Sequence, residues 1–164
     1  MIISFFGHKS FGDTSIKIAD VVKQIEEIAG GQVVHFYMGA YGSFDAFGKE
    51  CAKEYKKAHP DTLIILITPY IHPNYCLLDG AKERYDEIIY PELENVPPRY
   101  AISKRNEWIV EQSDFIFFYV RSSYGGAYNA LIHAKRKKIK HKNLYIKQTI
   151  FFDREYFNDF EEQP

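Results

Sequence analysis

Cysteine is scarce in this chain and charge of either sign is not in excess. The two cysteines, Cys51 and Cys76, lie far apart and form no metal-ligand spacing. A disulfide framework and a zinc motif are thereby excluded, and buried free thiols of a reducing compartment are expected. Net charge is −1 and the pI is near 6.6, which gives no broad positive field for non-specific DNA binding. No apolar run approaches the ~20 residues of a membrane-spanning helix. Met1 leads directly into Ile2-Ile3-Ser4-Phe5-Phe6 without a basic n-region, so no signal peptide and a cytoplasmic location are expected. Several motifs are missing as well. G-x-G-x-x-G follows no strand, and there is no G-x-x-x-x-G-K-[ST], H-E-x-x-H or G-x-S-x-G. A standard dinucleotide site, a P-loop, a zincin and a serine-hydrolase elbow are without support. No metal and no cofactor are expected.

What is abundant is aromatic surface: 13 Tyr and 13 Phe against a single Trp. Rings in that number suit a pocket, an interface, or both. With 46% apolar and 26% charged residues the composition is that of a globular protein. A chain of 164 residues buries roughly two-thirds of its unfolded surface without covalent staples. No repeat, low-complexity tract or linker is visible, and residues 1–164 read as a single domain.

Along the chain, strand and helix signals alternate. Ile2 to Phe6, Gln32 to Tyr37, Thr62 to Thr68 and Phe115 to Val120 read as strands, with a shorter one at Tyr85 to Tyr90 (or a helical turn there) and a last one within Lys142 to Lys147. Ile18, Val21, Val22, Ile25, Ile28 and Ala29 recur at helical spacing, with Asp13 or Thr14 as cap and Gly30-Gly31 as stop. Ser43 is placed to cap a second helix whose stripe is Phe44, Phe47, Cys51, Tyr55 and Ala58. Ser103 to Gln112 predicts a third, with Ile102, Ile109 and Val110 inward. Gly125-Gly126 opens a fourth, carrying Ala127, Ala130, Leu131 and Ala134. The proline-containing stretches around Pro69 and Pro73, and from Pro91 to Pro98, are expected to be irregular. The aromatic stretch 147–164 is expected to pack as an extension. Alternation without hairpin signals predicts a Rossmann-like three-layer α/β/α fold with a mainly parallel sheet.

In such a sheet ligands bind beyond the carboxyl ends of the strands. The loops there are Gly7-His8-Lys9, Gly39 to Asp45, Thr68-Pro69 and Ser122 to Asn129. Two of them run into helix N-termini, where free N–H groups and the helix dipole favour phosphate. Each feature also has a structural reading. The glycine pair can be a tight turn, His8 can cap its loop, and Asp45 stabilises a helix start whatever its function. Arg105 can be half of a surface ion pair. The run Lys135-Arg136-Lys137-Lys138, with Lys140 and Lys142, is better read as a solvated helix end than as a nucleic-acid patch.

Four segments in order carry a resemblance. They are Phe6-Gly7-His8-Lys9, Gly39-Ala40-Tyr41-Gly42-Ser43-Phe44-Asp45, Lys104-Arg105-Asn106 through Ser113-Asp114, and Tyr124-Gly125-Gly126-Ala127. Together they resemble the SLOG superfamily, the Rossmann-like group of DprA-type (SMF) proteins and LOG phosphoribohydrolases, and within it the small YpsA-like proteins of Gram-positive bacteria and their phages. The resemblance covers most of residues 1–147. It implies a nucleotide-related pocket. LOG enzymes cleave the N-glycosidic bond of nucleoside monophosphates, DprA binds single-stranded DNA, and SLOG domains of bacterial immunity bind nucleotide signals. The two glutamates of the LOG loop correspond to Leu131 and Ile132 here, so the carboxylate that glycoside cleavage needs is absent from its expected place. Asp45 is the candidate substitute and the one candidate catalytic residue.

Three functions follow as expectations. The favoured one is a sensor or sequestering protein for a mononucleotide, ADP-ribose-type or cyclic nucleotide. Its ligand-binding residues would be Gly7, His8, Lys9, Gly39, Gly42, Phe44, Asp45, Thr68, Pro69, Arg105, Asn106, Gly125, Gly126, Tyr128 and Asn129. Tyr41, Phe44, Tyr70 and Tyr128 are candidates to stack on a base, against core or interface packing as the alternative for each. The second is a LOG-like N-glycosidase, and the third a DprA-like DNA-interacting protein. The expected partners are a nucleotide-derived small molecule and further copies of the chain, with nucleic acid not favoured and no membrane.

Overall fold

The computed structural model describes residues 1–70 and 80–146. Pro73, Cys76, Lys147 and the whole of the expected 147–164 extension lie outside the described residues. The elements run β1 (Ile2–Gly7), α1 (Ile18–Ala29), β2 (His35–Met38), α2 (Ser43–Ala58), β3 (Leu63–Ile67), α3 (Ala81–Arg84), β4 (Glu87–Ile89), α4 (Pro98–Gln112), β5 (Phe115–Tyr119), α5 (Gly126–Arg136) and β6 (Lys140–Asn143). The six strands form one sheet in the order β4-β3-β2-β1-β5-β6, and every neighbouring pair is parallel. This is the expected Rossmann-like α/β fold. Strand order reverses between β1 and β5, because the chain builds outward from β1 through β4 and then crosses back by α4. Diverging loops at such a reversal open a crevice.

The sheet is covered on both faces, which explains its nearly continuous apolar strands. Ile3, Phe5, Phe36, Phe117 and Tyr119 pack with α1 and α2 on one side. Phe6, Ile116, Phe118 and Val120 pack with α4 and α5 on the other. Register places Phe5 opposite Phe117 and Phe6 opposite Phe118. The rings stack across the strands at 5.3 Å and 5.8 Å, a pairing that adds to simple burial. At the base of β1, the Asp114 carboxylate accepts from Ile2 N at 2.7 Å while Asp114 N donates to Ile2 O at 2.9 Å. Buried Ser4 and Ser113 satisfy each other through their hydroxyls at 2.7 Å, and Ser113 also donates to Ile109 O.

Several local expectations are corrected. Neither Asp13 nor Thr14 caps α1, whose N-cap position is Lys17 without a side-chain bond. Asp13 lies too far upstream and instead accepts from the backbone and hydroxyl of Ser15. Ser43 is the first residue of α2 rather than its cap. Its hydroxyl turns back, donating to Lys9 O and accepting from Phe11 N. That ties the β1 loop to the start of α2. Ala58 is exposed, and Gly48 joins the buried stripe because Phe5 fills the space of a Cβ there. Helix α4 starts at Pro98, not Ser103: proline in a first helical turn loses no bond, since that N–H has no partner anyway. The last strand lies at Lys140–Asn143, starting two residues before the expected segment and overlapping it only at Lys142 and Asn143; its backbone pairs with Phe115 to Phe118. Helix α3 was not anticipated; its four residues show no period. No helix among the described residues is long and apolar enough to cross a membrane.

Candidate functional site

At the strand-order reversal lies a cavity of about 410 Å3, within the ~300–1,000 Å3 range of small-molecule sites. Four chain segments converge on it: Gly7, His8 and Lys9 after β1, the Gly39–Asp45 turn after β2, Arg105 and Asn106 on α4, and Tyr124 to Ala127 at the start of α5. Phe5, Phe6 and Ile102 supply apolar wall. Ten of the fifteen expected binding residues therefore share one cavity. The remaining five are placed elsewhere. Phe44 is fully buried beneath Gly7, where its ring fills the position of a missing Cβ. Thr68 is buried and bonds the backbone of Tyr70, and Pro69 borders a separate depression with Tyr70 and Tyr90. Tyr128 and Asn129 line a groove between α4 and α5 that meets the main cavity only at Asn106 and Gly126.

Arg105 is not half of a surface ion pair. Its side chain is among the largest in the interior, with 1% exposure. One guanidinium nitrogen, Nη1, donates to Gly39 O at 2.7 Å and Ile67 O at 2.8 Å, and Nε donates to Asn106 Oδ1 at 3.0 Å. The residue thus satisfies carbonyls at the ends of β2 and β3, which a parallel sheet leaves unpaired at its rim. Nη2 makes no hydrogen bond among the described residues and the guanidinium borders the cavity. The Tyr41 ring covers it at 5.4 Å. Burial lowers the Arg105 pKa, and the Asp45 carboxylate opposes that shift.

Asp45 accepts from Tyr41 N at 2.5 Å through one oxygen. Burial pushes its carboxyl up to about 6, while the Tyr41 bond and the Arg105 charge pull it down. It is the single carboxylate on the cavity lining. His8 acts as an acceptor: Nε2 receives Arg121 N at 3.0 Å and Ser122 N at 3.2 Å. The ring must be neutral with its proton on Nδ1 to do this. Burial, then the Arg121 charge, lower its pKa accordingly. His8 straps the β1 loop to the loop that leads to Gly125.

Gly125 sits at φ 92 and ψ 174 as the N-cap of α5, with no side-chain cap bond. The first N–H groups of an 11-residue helix therefore open at the cavity edge. Asn106 Nδ2 lies 3.7 Å from where a Gly126 Cβ would stand. Tyr124, at 75% exposure, stands at the mouth. It is the main residue that pattern reading passed over as a binding candidate; its position directly before a glycine pair at a helix start was the available signal. Among the described residues, no group of three His, Cys, Asp or Glu side chains is placed to hold a metal ion.

No protein-family model matches the chain, and no curated protein matches it. Solved structures do. DNA processing protein A from Helicobacter pylori, described with a single-stranded DNA binding mode, superposes with a TM-score of 0.62 at 15% identity. The match covers 91% of this chain and 67% of that one. DprA from Streptococcus pneumoniae gives 0.56 at 9% identity, over 85% of this chain and 48% of that one. At these identities the likeness is one of fold: the chain has the Rossmann-like α/β architecture of the DprA proteins.

Proposed function

We propose that the cavity binds a nucleotide or nucleotide-derived ligand, and that the protein acts as a sensor or sequestering protein of the SLOG type. The observation that carries this reading is the meeting of the open α5 N-terminus with the Arg105 guanidinium on one cavity. N–H groups at Gly126 and Ala127, the helix dipole, Nη2 of Arg105 and the Lys9 ammonium are the groups suited to a phosphate. Tyr41 and Tyr124 offer ring faces for a base. A LOG-like cleavage reaction has less support. Leu131 is packed in the core, and Asp45 alone remains for charge stabilisation.

The test is a thermal-shift screen with mononucleotides, ADP-ribose, cyclic ADP-ribose isomers and cyclic dinucleotides, with chromatography of each ligand after incubation. A ligand at ~100 times its Kd stabilises by about 2.7 kcal/mol. A shift with intact ligand supports binding. Release of free base makes the protein a glycosidase. No shift with any ligand refutes the pocket reading. Single-stranded DNA binding is the second reading, favoured by the fold shared with the Helicobacter pylori protein. It predicts an affinity for oligonucleotides that falls steeply with salt.

A further inference from the structure

A second cavity lies on the α2 side of the β2–α2 turn, against the end of β3, with a volume of about 150 Å3. That is below the size of a nucleoside site. Ala46 and Leu66 form its apolar wall, and Lys49, Arg84, Tyr85 and Asp45 its polar one. It shares Gly42 and Asp45 with the main cavity, so the two are separated by one turn of chain. That turn holds Ala40 at φ 57, a left-handed conformation that costs a non-glycine residue energy and tends to persist at ligand sites.

Among the described residues the charges around this cavity are unbalanced. Four lysines lie on α2. Lys53 pairs with Glu50 at 2.9 Å, Lys56 with Asp86 at 2.6 Å and Lys57 with Glu54 at 2.5 Å. Lys49 has no ion pair among the described residues; its ammonium lies 5.3 Å over the Tyr85 ring. Burial lowers its pKa, and the charges of Lys53 and Arg84 lower it further, with Glu50 opposing. Arg84 donates through Nε to Gly80 O at 3.1 Å and likewise has no acidic partner among the described residues. Two cations that repel each other thus border one small cavity, and Asp45, the acid on its wall, is already engaged with Tyr41 N. An anion between the cations would remove the repulsion and supply the missing acceptors.

We propose that this cavity is a second oxyanion subsite, in which Lys49 and Arg84 hold a phosphoryl group and the Tyr85 ring supports the Lys49 ammonium. It stands on its own charges and does not depend on what the main cavity binds.

Inorganic phosphate is the probe, titrated against chloride at constant ionic strength and followed by 1H–15N correlation spectra of the full chain. Expected are saturable shifts at the Ala46, Lys49 and Tyr85 amides. In the variant Lys49→Gln/Arg84→Gln these should weaken at least tenfold, while any shifts at Gly126 and Ala127 stay unchanged. Lys49→Arg, which keeps the charge, should retain binding. Both side chains reach solvent, and a thermal melt of each variant checks the fold. Shifts at Ala46 and Tyr85 that are absent, that chloride reproduces, or that survive the double substitution overturn the proposal. A response at Ala46 and Tyr85 with Gly126 and Ala127 silent supports the second subsite and counts against the main-cavity reading. The reverse pattern does the opposite.

Discussion

Replacing His8 with alanine removes the acceptor shared by Arg121 N and Ser122 N. Each bond has a net worth of about 0.5–1.5 kcal/mol. Water replaces the acceptor more readily at Arg121, whose bond is exposed, than at Ser122, whose bond is part-buried. The loss should therefore total about 1–2 kcal/mol. It should be local, since the loop carries little of the core. The assay is amide hydrogen exchange at Arg121 and Ser122, corrected for intrinsic exchange. An opening free energy reduced by 1–2 kcal/mol corresponds to exchange roughly 5–30 times faster.

The same strap makes the loop sensitive to pH. The His8 pKa is lowered from its ordinary 6.5, so the stabilisation is present above 6.5 and is lost as pH falls through the lowered folded value. Protonated Nε2 is a donor and cannot accept from two N–H groups. At pH 7.5 the wild-type loop should keep its full protection relative to His8→Ala; as pH falls below 6.5 it should exchange progressively faster, towards the His8→Ala rate, which should itself stay flat. Equal exchange of wild type and variant at pH 7.5 would refute the strap between the β1 loop and the loop that leads to Gly125.

Three further outcomes follow from the same geometry. Asp45→Asn should stabilise the protein near neutral pH by on the order of 1–3 kcal/mol. A carboxyl raised from 3.8 to about 6 contributes its full stability below 3.8 and loses it as pH rises through 6. Urea denaturation at pH 4 and pH 7.5 should show the gain only at the higher pH, and an equal effect at both would contradict a carboxyl raised by desolvation. Gly39→Ala should destabilise by about 1–3 kcal/mol through overpacking, because its Cβ would stand 3.1 Å from Arg105 Nη1 and 3.3 Å from Cζ; an unchanged Tm would mean the guanidinium can shift freely. Gly125→Ala meets no atom within 4 Å, so its expected loss of about 1–3 kcal/mol is entirely backbone strain at φ 92. Ligand affinity should fall with it, whereas unchanged denaturation and binding would show that the loop adapts.

How much of this was legible in the sequence depended on the kind of signal. The central strands announced themselves because burial on both faces leaves no polar position in Leu63–Ile67 or Phe115–Tyr119. Helix α1 carried a clean period. The first turn of α4 did not, since Pro97 and Pro98 read as breakers until their place at a helix start is known. The edge strand β6, Lys-His-Lys-Asn, has the composition of a loop and owes its conformation to pairing with β5. Lys side chains on such an edge also discourage further strand pairing.

The site was legible where glycines mark backbone constraints and obscure where a charged side chain is buried. Arg105 could be located from its motif, but a charged residue on a helix of weak amphipathic pattern looks like a surface residue. Its burial follows from two carbonyls, Gly39 O and Ile67 O, that lie 66 and 38 positions away in sequence. This dual engagement changes what the residue can tell an experiment. Arg105→Ala would remove a guanidinium from the cavity and leave both carbonyls without their donor, so lost binding in that variant would not by itself identify a ligand contact. Lys9 is the cleaner probe. Its carbonyl, not its side chain, fixes the start of α2, and Lys9→Gln removes the charge of a lining residue while leaving those backbone bonds in place. If the cavity holds a phosphate, affinity should weaken in Lys9→Gln with the denaturation curve unmoved. A variant that binds as well as wild type would remove Lys9 from the site and leave the anion to Arg105 and the α5 N-terminus.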